Sequence, residues 1–173
     1  MRRVLVVGSS GSGKSTLARA LAARLDVPAL ELDGLFHQPG WTELELTEFR
    51  RQVADVVAGE GWVVDGNYAR VRDLVLARTD TVVWLRLPRA LVMRQVLRRT
   101  AVRLLRRQEL WNGNRESLRN VVSTDPARSI VAWAWQMHGK YDEEYAALMR
   151  SAPEGQRWVV LTSRRDVRRF TAL

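Results

Sequence analysis

"RRVLVVGSSGSGKSTLARALAARL", residues 2 to 25, decides the fold. Its first part is a short run of β-branched residues that ends in glycine, the pattern of a buried strand. Its last part places Leu17, Leu21 and Leu25 at i, i+4 and i+8, one face of a helix closed by Asp26-Val27-Pro28. Between them lies "GSSGSGKS", Gly8 to Ser15. Glycines there let successive N–H groups turn inward and form an anion nest at a helix N-terminus, where the dipole also favours negative charge.

The stretch fits G-x-x-x-x-G-K-[ST] at every specified position and has the strand and helix that the motif requires. It reads as a nucleotide phosphate cradle made of Gly8, Ser9, Ser10, Gly11, Ser12, Gly13, Lys14, Ser15 and Thr16. Lys14 is expected to reach the β- and γ-phosphates, and the Ser15 hydroxyl to ligate Mg²⁺. Thr16 supports the helix or the α-phosphate. ATP with Mg²⁺ is the expected ligand pair. The motif names the phosphates without saying what becomes of them.

Outward from the cradle, strands and helices alternate. "ALEL" reads as a second strand ending at Asp33, followed by a helix marked by Phe49, Val53, Val56 and Val57. "GWVVD" is a third strand, a short helix lies around "YARVRDLVLA", and "DTVVWLRL" is a fourth strand. Pro88 suits the first turn of the long helix that follows. Thr124-Asp125-Pro126 suits the cap and first turn of a helix running to about Arg150. "RWVVLT" is a fifth strand, with a final helix after Arg164. Five near-continuous apolar strands between helices predict an α/β fold of the P-loop NTPase kind: a five-stranded parallel sheet covered on both faces, in one domain over residues 1–173.

Ligands of open α/β sheets bind beyond the carboxyl ends of the strands. Asp65, at the end of the third strand, is therefore a candidate Mg²⁺ ligand through a water. Asp33 is a candidate for binding an acceptor hydroxyl and taking its proton. The alternative for each is a helix cap or Asx-turn, common for Asp before Gly. "GLFHQPGW", Gly34 to Trp41, offers His37 and Trp41 to an acceptor, or else a hydrophobic staple for the next helix. The acceptor-binding segment is expected at about residues 34–60, with Asn67 and Arg70 contributing from beyond the third strand.

The net charge is +9, unevenly placed. Residues 1–93 carry 12 basic and 11 acidic side chains, whereas residues 94–119 carry eight arginines and two glutamates. A protein that coats DNA spreads its charge over a broad face; this one concentrates it. Arg94 and Arg98 share a helical stripe with Ala101 and Leu105, which predicts that they point inward, and Arg99, Arg103 and Arg106 outward. Buried guanidinium needs a partner, and a triphosphate supplies one. Arg115 and Arg119 follow the turn "WNGN" at i, i+4. An arginine-rich lid over about residues 99–118, folding as a hairpin of helices, would bring them above the γ-phosphate and exclude water.

"VVGSSGSGKSTLARALA", "GWVVDGNYARVRD" and the basic helix after "DTVVWLRLP" resemble adenylate kinase and the wider nucleoside monophosphate kinase group. "LDGLFHQPGW", "DGNY" and "ELWNGNRESL" are more closely similar to the small adenylate-kinase-related proteins often labelled DNA topology modulation protein. The resemblance implies a central phosphate-loop strand, a substrate segment after strand two and an arginine lid after strand four. It also implies ATP with Mg²⁺, Arg94 and Arg98 as the lid pair, and Arg115 and Arg119 as the pair after it. Adenylate kinases end the third strand in Asp-Gly-x-Pro-Arg. Here "DGNYAR" lacks the proline and places Arg70 one residue later, a departure at the acceptor site.

The expected activity is transfer of the γ-phosphoryl group of MgATP to a small acceptor, with Lys14, the arginines and Asp33 in catalytic roles. A nucleotide-dependent DNA-binding protein and an ATPase switch are the alternatives. No cysteine is present, so disulfides and thiolate metal sites are excluded, and two histidines make a poor zinc site. No apolar run approaches the roughly 20 residues of a membrane span. No signal peptide is visible, so the cytoplasm is the expected compartment, without a membrane partner.

Overall fold

The computed structural model describes residues 1–115, 125 and 129–172. Five parallel strands form one sheet in the order β2-β3-β1-β4-β5. They are β1 (Arg3–Gly8), β2 (Ala29–Glu31), β3 (Trp62–Asp65), β4 (Thr81–Leu85) and β5 (Arg157–Leu161). The helices among the described residues are α1 (Lys14–Leu25), α2 (Leu32–Phe36), α3 (Leu46–Val57), α4 (Ala69–Leu76), α5 (Arg89–Leu105), α6 (Ile130–Arg150) and α7 (Arg164–Ala172). Two single 3₁₀ turns cover Pro39–Trp41 and Trp111–Gly113.

The phosphate-loop strand β1 sits at the centre of the sheet, paired with β3 and β4. Side chains alternate across it. Leu5 and Val7 join Trp62, Val64, Val82 and Trp84 under α3, α4 and α6, whereas Val4 and Val6 join Val63, Val83 and Leu85 under α1 and α5. Full burial of valine-rich strands on both faces is what the continuous apolar runs predict, and it holds for β3 and β4 throughout. The two edge strands differ: β2 and β5 are only partly buried.

Four local expectations are corrected. Strand two stops at Glu31, and Asp33 lies in the first turn of α2, because Leu32 and Phe36 bury together at helical spacing. Pro88 caps α5 from outside the helix. Helix α6 starts at Ile130, where the Ser129 hydroxyl accepts a hydrogen bond from the Ala132 N–H; Thr124 and Pro126 lie outside the described residues.

The fourth correction is the phase of α5. Its buried stripe is Val92, Val96 and Thr100, with Arg99 and Arg103 half-buried beside it. Ala101 and Leu105, expected on the inner face, are exposed, Leu105 to 85%. Arg94 and Arg98 share that outer face, and both are exposed. The apolar letters misled because arginine stems pack as well as leucine does.

Candidate active site

The glycine loop runs from the C-terminal end of β1 into α1 and is shaped for backbone donors. Gly11 has φ of 82°, a left-handed conformation that side chains resist. A β-carbon there would collide with Val96 Cγ2, so only glycine lets the apex of the loop rest on α5. Lys14 folds back over the loop, and its Nζ donates to Ser9 O at 3.2 Å. Ser9 O also accepts from the Ser12 N–H at 3.0 Å. Ser9 and Ser12 are buried, and the Ser12 hydroxyl has no hydrogen-bond partner. Ser10, Ser15 and Gly11 are half-buried, and Gly13 and Thr16 are exposed.

Asn67, expected among the acceptor ligands, instead clamps the loop. Its Nδ2 donates to Gly8 O at 2.7 Å, and its Oδ1 accepts from the Gly8 N–H at 3.3 Å. The Tyr145 hydroxyl of α6 donates to the same Oδ1 at 3.0 Å. Sequence spacing gives no sign of this link, since the three residues come from three separate segments.

Asp65 ends β3, opposite Val6 of β1, and is only 4% exposed. Its Oδ1 is buried without a hydrogen-bond partner. Burial pushes this carboxyl up to about 6, against the pull of Lys14 and the Ser15 hydroxyl, while Asp33 and Glu31 push the same way as burial. An orphaned carboxylate oxygen next to a serine hydroxyl and a phosphate nest suits Mg²⁺, which takes one or two protein oxygens and completes its shell with phosphate and water. No group of three or more His, Cys, Asp or Glu ligands lies among the described residues.

On the other side of Asp65 lies the segment expected to hold the acceptor. The Tyr68 hydroxyl donates to Asp33 Oδ1 at 2.7 Å and stands 3.4 Å from His37 Nε2. Burial, then the charge of Asp33, pushes the Tyr68 phenol far above its ordinary range, so it stays a donor. Aromatic rings crowd around: Phe36 against Tyr68 with centroids 4.8 Å apart, His37 edge-on to Trp41 at 5.4 Å, and His37 stacked on Trp111 at 6.1 Å. Trp41 stays 40% exposed. Arg70 pairs with Glu43 at 2.9 Å and lies 5.6 Å over the Phe36 ring.

Trp111 comes from the segment after α5, which is not a hairpin of helices as far as it is described. An antiparallel bridge joins Glu109 to Arg115 around the 3₁₀ turn. That turn docks on the loop after α2. Asn112 Nδ2 donates to Gly34 O and His37 O at 3.2 and 2.6 Å. Asn114 Nδ2 donates to Gln38 O at 2.9 Å, and Asn114 Oδ1 accepts from the Trp41 N–H at 2.9 Å. Gly34 leaves room for Trp111, whose Cδ1 would lie 2.8 Å from a β-carbon there. Arg115 is exposed, 3.6 Å from Glu109, and Arg119 lies outside the described residues. On α5, Arg99 and Arg103 flank the Val96 stripe that touches Gly11, and Arg94 and Arg98 occupy the opposite side.

Residues 4–76 match the family model "ATPase family associated with various cellular activities (AAA)". No curated protein matches the sequence at a significant level. Solved structures do match. A shikimate kinase from Acinetobacter baumannii in complex with shikimate superposes with a TM-score of 0.57 at 18% identity, covering 99% of this chain and 89% of that one. A shikimate kinase from Bacteroides thetaiotaomicron gives 0.55 at 15% identity, covering 99% and 94%. A gluconokinase from Sinorhizobium meliloti 1021 gives 0.52 at 16% identity, covering 99% and 91%.

The fold is a P-loop NTPase fold of the kinase type. These likenesses span almost the whole of each chain, including α5 to α7, beyond the 4–76 match. Among the described residues no helix is long and apolar enough to cross a membrane.

Proposed function

We propose that this protein transfers the γ-phosphoryl group of MgATP to a hydroxyl of a small acceptor. The observation that carries the reading is the glycine loop at the end of the central strand, with Lys14 folded over it and the orphaned Asp65 oxygen beside Ser15. The kinase identity of the three solved structures supports it.

In such a transfer the acceptor oxygen attacks the γ-phosphorus, and the bond to the β,γ-bridging oxygen breaks. ADP leaves with the electron pair, and the hydroxyl proton is released. Positioning and charge stabilisation supply most of the catalysis. The main-chain amides of residues 8–15 bind the phosphates. Lys14 leaves Ser9 O for the phosphate oxygens, where its charge follows the migrating group. Ser15 and Asp65 would hold Mg²⁺, which would supply charge neutralisation to the phosphates. Arg99 and Arg103, on the loop side of α5, take the lid role in place of Arg94 and Arg98. Asp33 accepts the acceptor's hydroxyl proton, and Tyr68 fixes that carboxylate through its 2.7 Å hydrogen bond. The AAA match favours a second reading, hydrolysis of ATP without an acceptor.

Replacing Lys14 by Ala tests the first reading. Turnover of γ-labelled ATP into product is expected to fall by about 100-fold or more, with an unchanged circular dichroism spectrum. Turnover equal to that of the parent defeats the assignment. Phosphate release at the same rate with and without acceptors selects the hydrolase.

A further inference from the structure

The loop after α2 and the turn after α5 are built alike. An antiparallel bridge closes each one, His37 to Glu43 and Glu109 to Arg115. Inside each, two neighbouring residues turn left-handed: Gly40 and Trp41 with φ of 71° and 60°, Asn112 and Gly113 with φ of 55° and 78°. The two meet through the side chains of the second. Asn112 and Asn114 reach the carbonyls of Gly34, His37 and Gln38 and the N–H of Trp41, and Trp111 stacks on His37 in the space that Gly34 leaves. Helix α2 carries Asp33 into the same loop, with the His37 N–H donating to Asp33 O at 3.0 Å.

The other end of this connection lies at the phosphate loop. Helix α5 seats Val96 on Gly11 and carries Arg99 and Arg103 beside that contact. The helix does not fray into the turn. Arg107 is left-handed at φ of 46°, and the Gln108 N–H donates to Arg103 O at 2.9 Å, the Schellman closure that fixes how the chain leaves a helix. One step further, the Leu110 N–H donates to Asn114 O at 2.7 Å. From Gly11 to Trp41 the path is therefore a seated helix, a closed turn and four hydrogen bonds.

Resting on the phosphotransferase reading above, which sets the phosphates between the glycine loop and α5, we infer that Asn112 and Asn114 are positioning residues that couple nucleotide binding to the arrangement of the acceptor loop. Phosphates held by the loop amides together with Arg99 and Arg103 favour the seating of α5 on Gly11. That seating is the one in which the turn after α5 reaches residues 34–41. ATP therefore steadies Asp33, His37 and Trp41 before an acceptor arrives, and by linkage an acceptor tightens ATP. A tie that served stability alone would hold the loop equally with and without nucleotide.

Amide hydrogen exchange of the full chain, read with and without a non-hydrolysable ATP analogue and Mg²⁺, tests the coupling. In the parent the analogue is expected to slow exchange in residues 8–15 and, by about fivefold or more, in residues 34–44. Asn112→Ala is expected to diminish the second response. Adding Asn114→Ala is expected to remove it while residues 8–15 stay protected. Asn112 is exposed, so its single variant carries the test should the double one fail to fold. Thr42→Ala, which loosens the same loop by removing the hydrogen bond to Pro39 O, is expected to raise exchange there in both states and to keep the response. Residues 34–44 indifferent to the analogue in a parent whose residues 8–15 are protected overturn the inference. A parental response in the asparagine variants, or its loss in Thr42→Ala, does the same. No protection of residues 8–15 in the parent refutes the nucleotide site and the coupling with it. A full response in a parent that passes no phosphoryl group to any acceptor leaves the coupling standing and refutes the phosphotransferase reading instead.

Discussion

Asn114 accepts the main-chain N–H of Trp41 across 73 residues of sequence, at 2.9 Å, and is itself only 4% exposed. With its amide donating to Gln38 O and Trp111 O, the side chain is fully engaged in tying the turn after α5 to the loop after α2. Asn114→Ala removes three hydrogen bonds to part-buried main-chain groups, at a cost of about 1–3 kcal/mol. Urea unfolding is expected to show that loss together with a red-shifted tryptophan emission. The exposed Asn112, replaced in the same way, is expected to cost less. Equal stability of Asn114→Ala and parent would show that the docking contributes nothing.

Gly11 carries two separate demands, a positive φ and no side chain against Val96. Gly11→Ala is expected to destabilise the protein by about 1–3 kcal/mol through overpacking and to abolish ATP binding. Adding Val96→Ala relieves the contact and leaves the backbone strain, so calorimetry of ATP binding is expected to show partial recovery. Full recovery would mean that φ at this position is unimportant.

The phase of α5 yields a comparison between neighbours. Arg99 lies beside the stripe that contacts the phosphate loop, and Arg98 faces out. Arg99→Ala is expected to lower kcat by about tenfold or more, the scale of a lost charge-stabilising donor. Arg98→Ala is expected to stay within about twofold, as surface replacements do. The reverse ranking would assign the phosphate to the outer face.

Asp80 ties the first strand to the fourth at the end of the sheet away from the phosphate loop. Its Oδ2 accepts the N–H groups of Arg2 and Arg3 at 2.8 and 2.9 Å, and its Oδ1 the Thr81 hydroxyl at 2.7 Å. Burial opposes ionisation, yet these donors outweigh it and hold the carboxyl below its ordinary value. A depressed folded-state value means stability that is complete above the unfolded value of about 4 and is lost as pH falls through the folded value. Asp80→Asn is therefore expected to lower Tm at pH 7 and to flatten the decline of Tm below about pH 4. A parental acid slope in the variant would show that other carboxylates carry it.

The phosphate loop was legible in sequence because its determinants are consecutive: eight residues, one strand, one helix. The order of strands and helices followed from runs of valine and leucine for the same local reason. The inner face of α5 was not legible, because Leu97 and Leu105 are exposed while Arg99 and Arg103 are half-buried. There the usual equation of apolar with inside fails. Nor was the docking of Asn112 and Asn114 on the loop after α2. Asn-Gly-Asn announces a turn, but the partner carbonyls lie 75 to 78 residues away in sequence. Asn67 misled in another way, since a polar side chain after a strand end reads as a ligand and here serves Gly8.

The relay from Tyr145 through Asn67 to Gly8 joins the far layer of the protein to the first amide of the phosphate loop. A loss-of-function screen will therefore recover substitutions at Tyr145, 78 residues along the chain from Asn67. Such alleles will weaken affinity for ATP, and a second change that refits the ring's hydroxyl will suppress them.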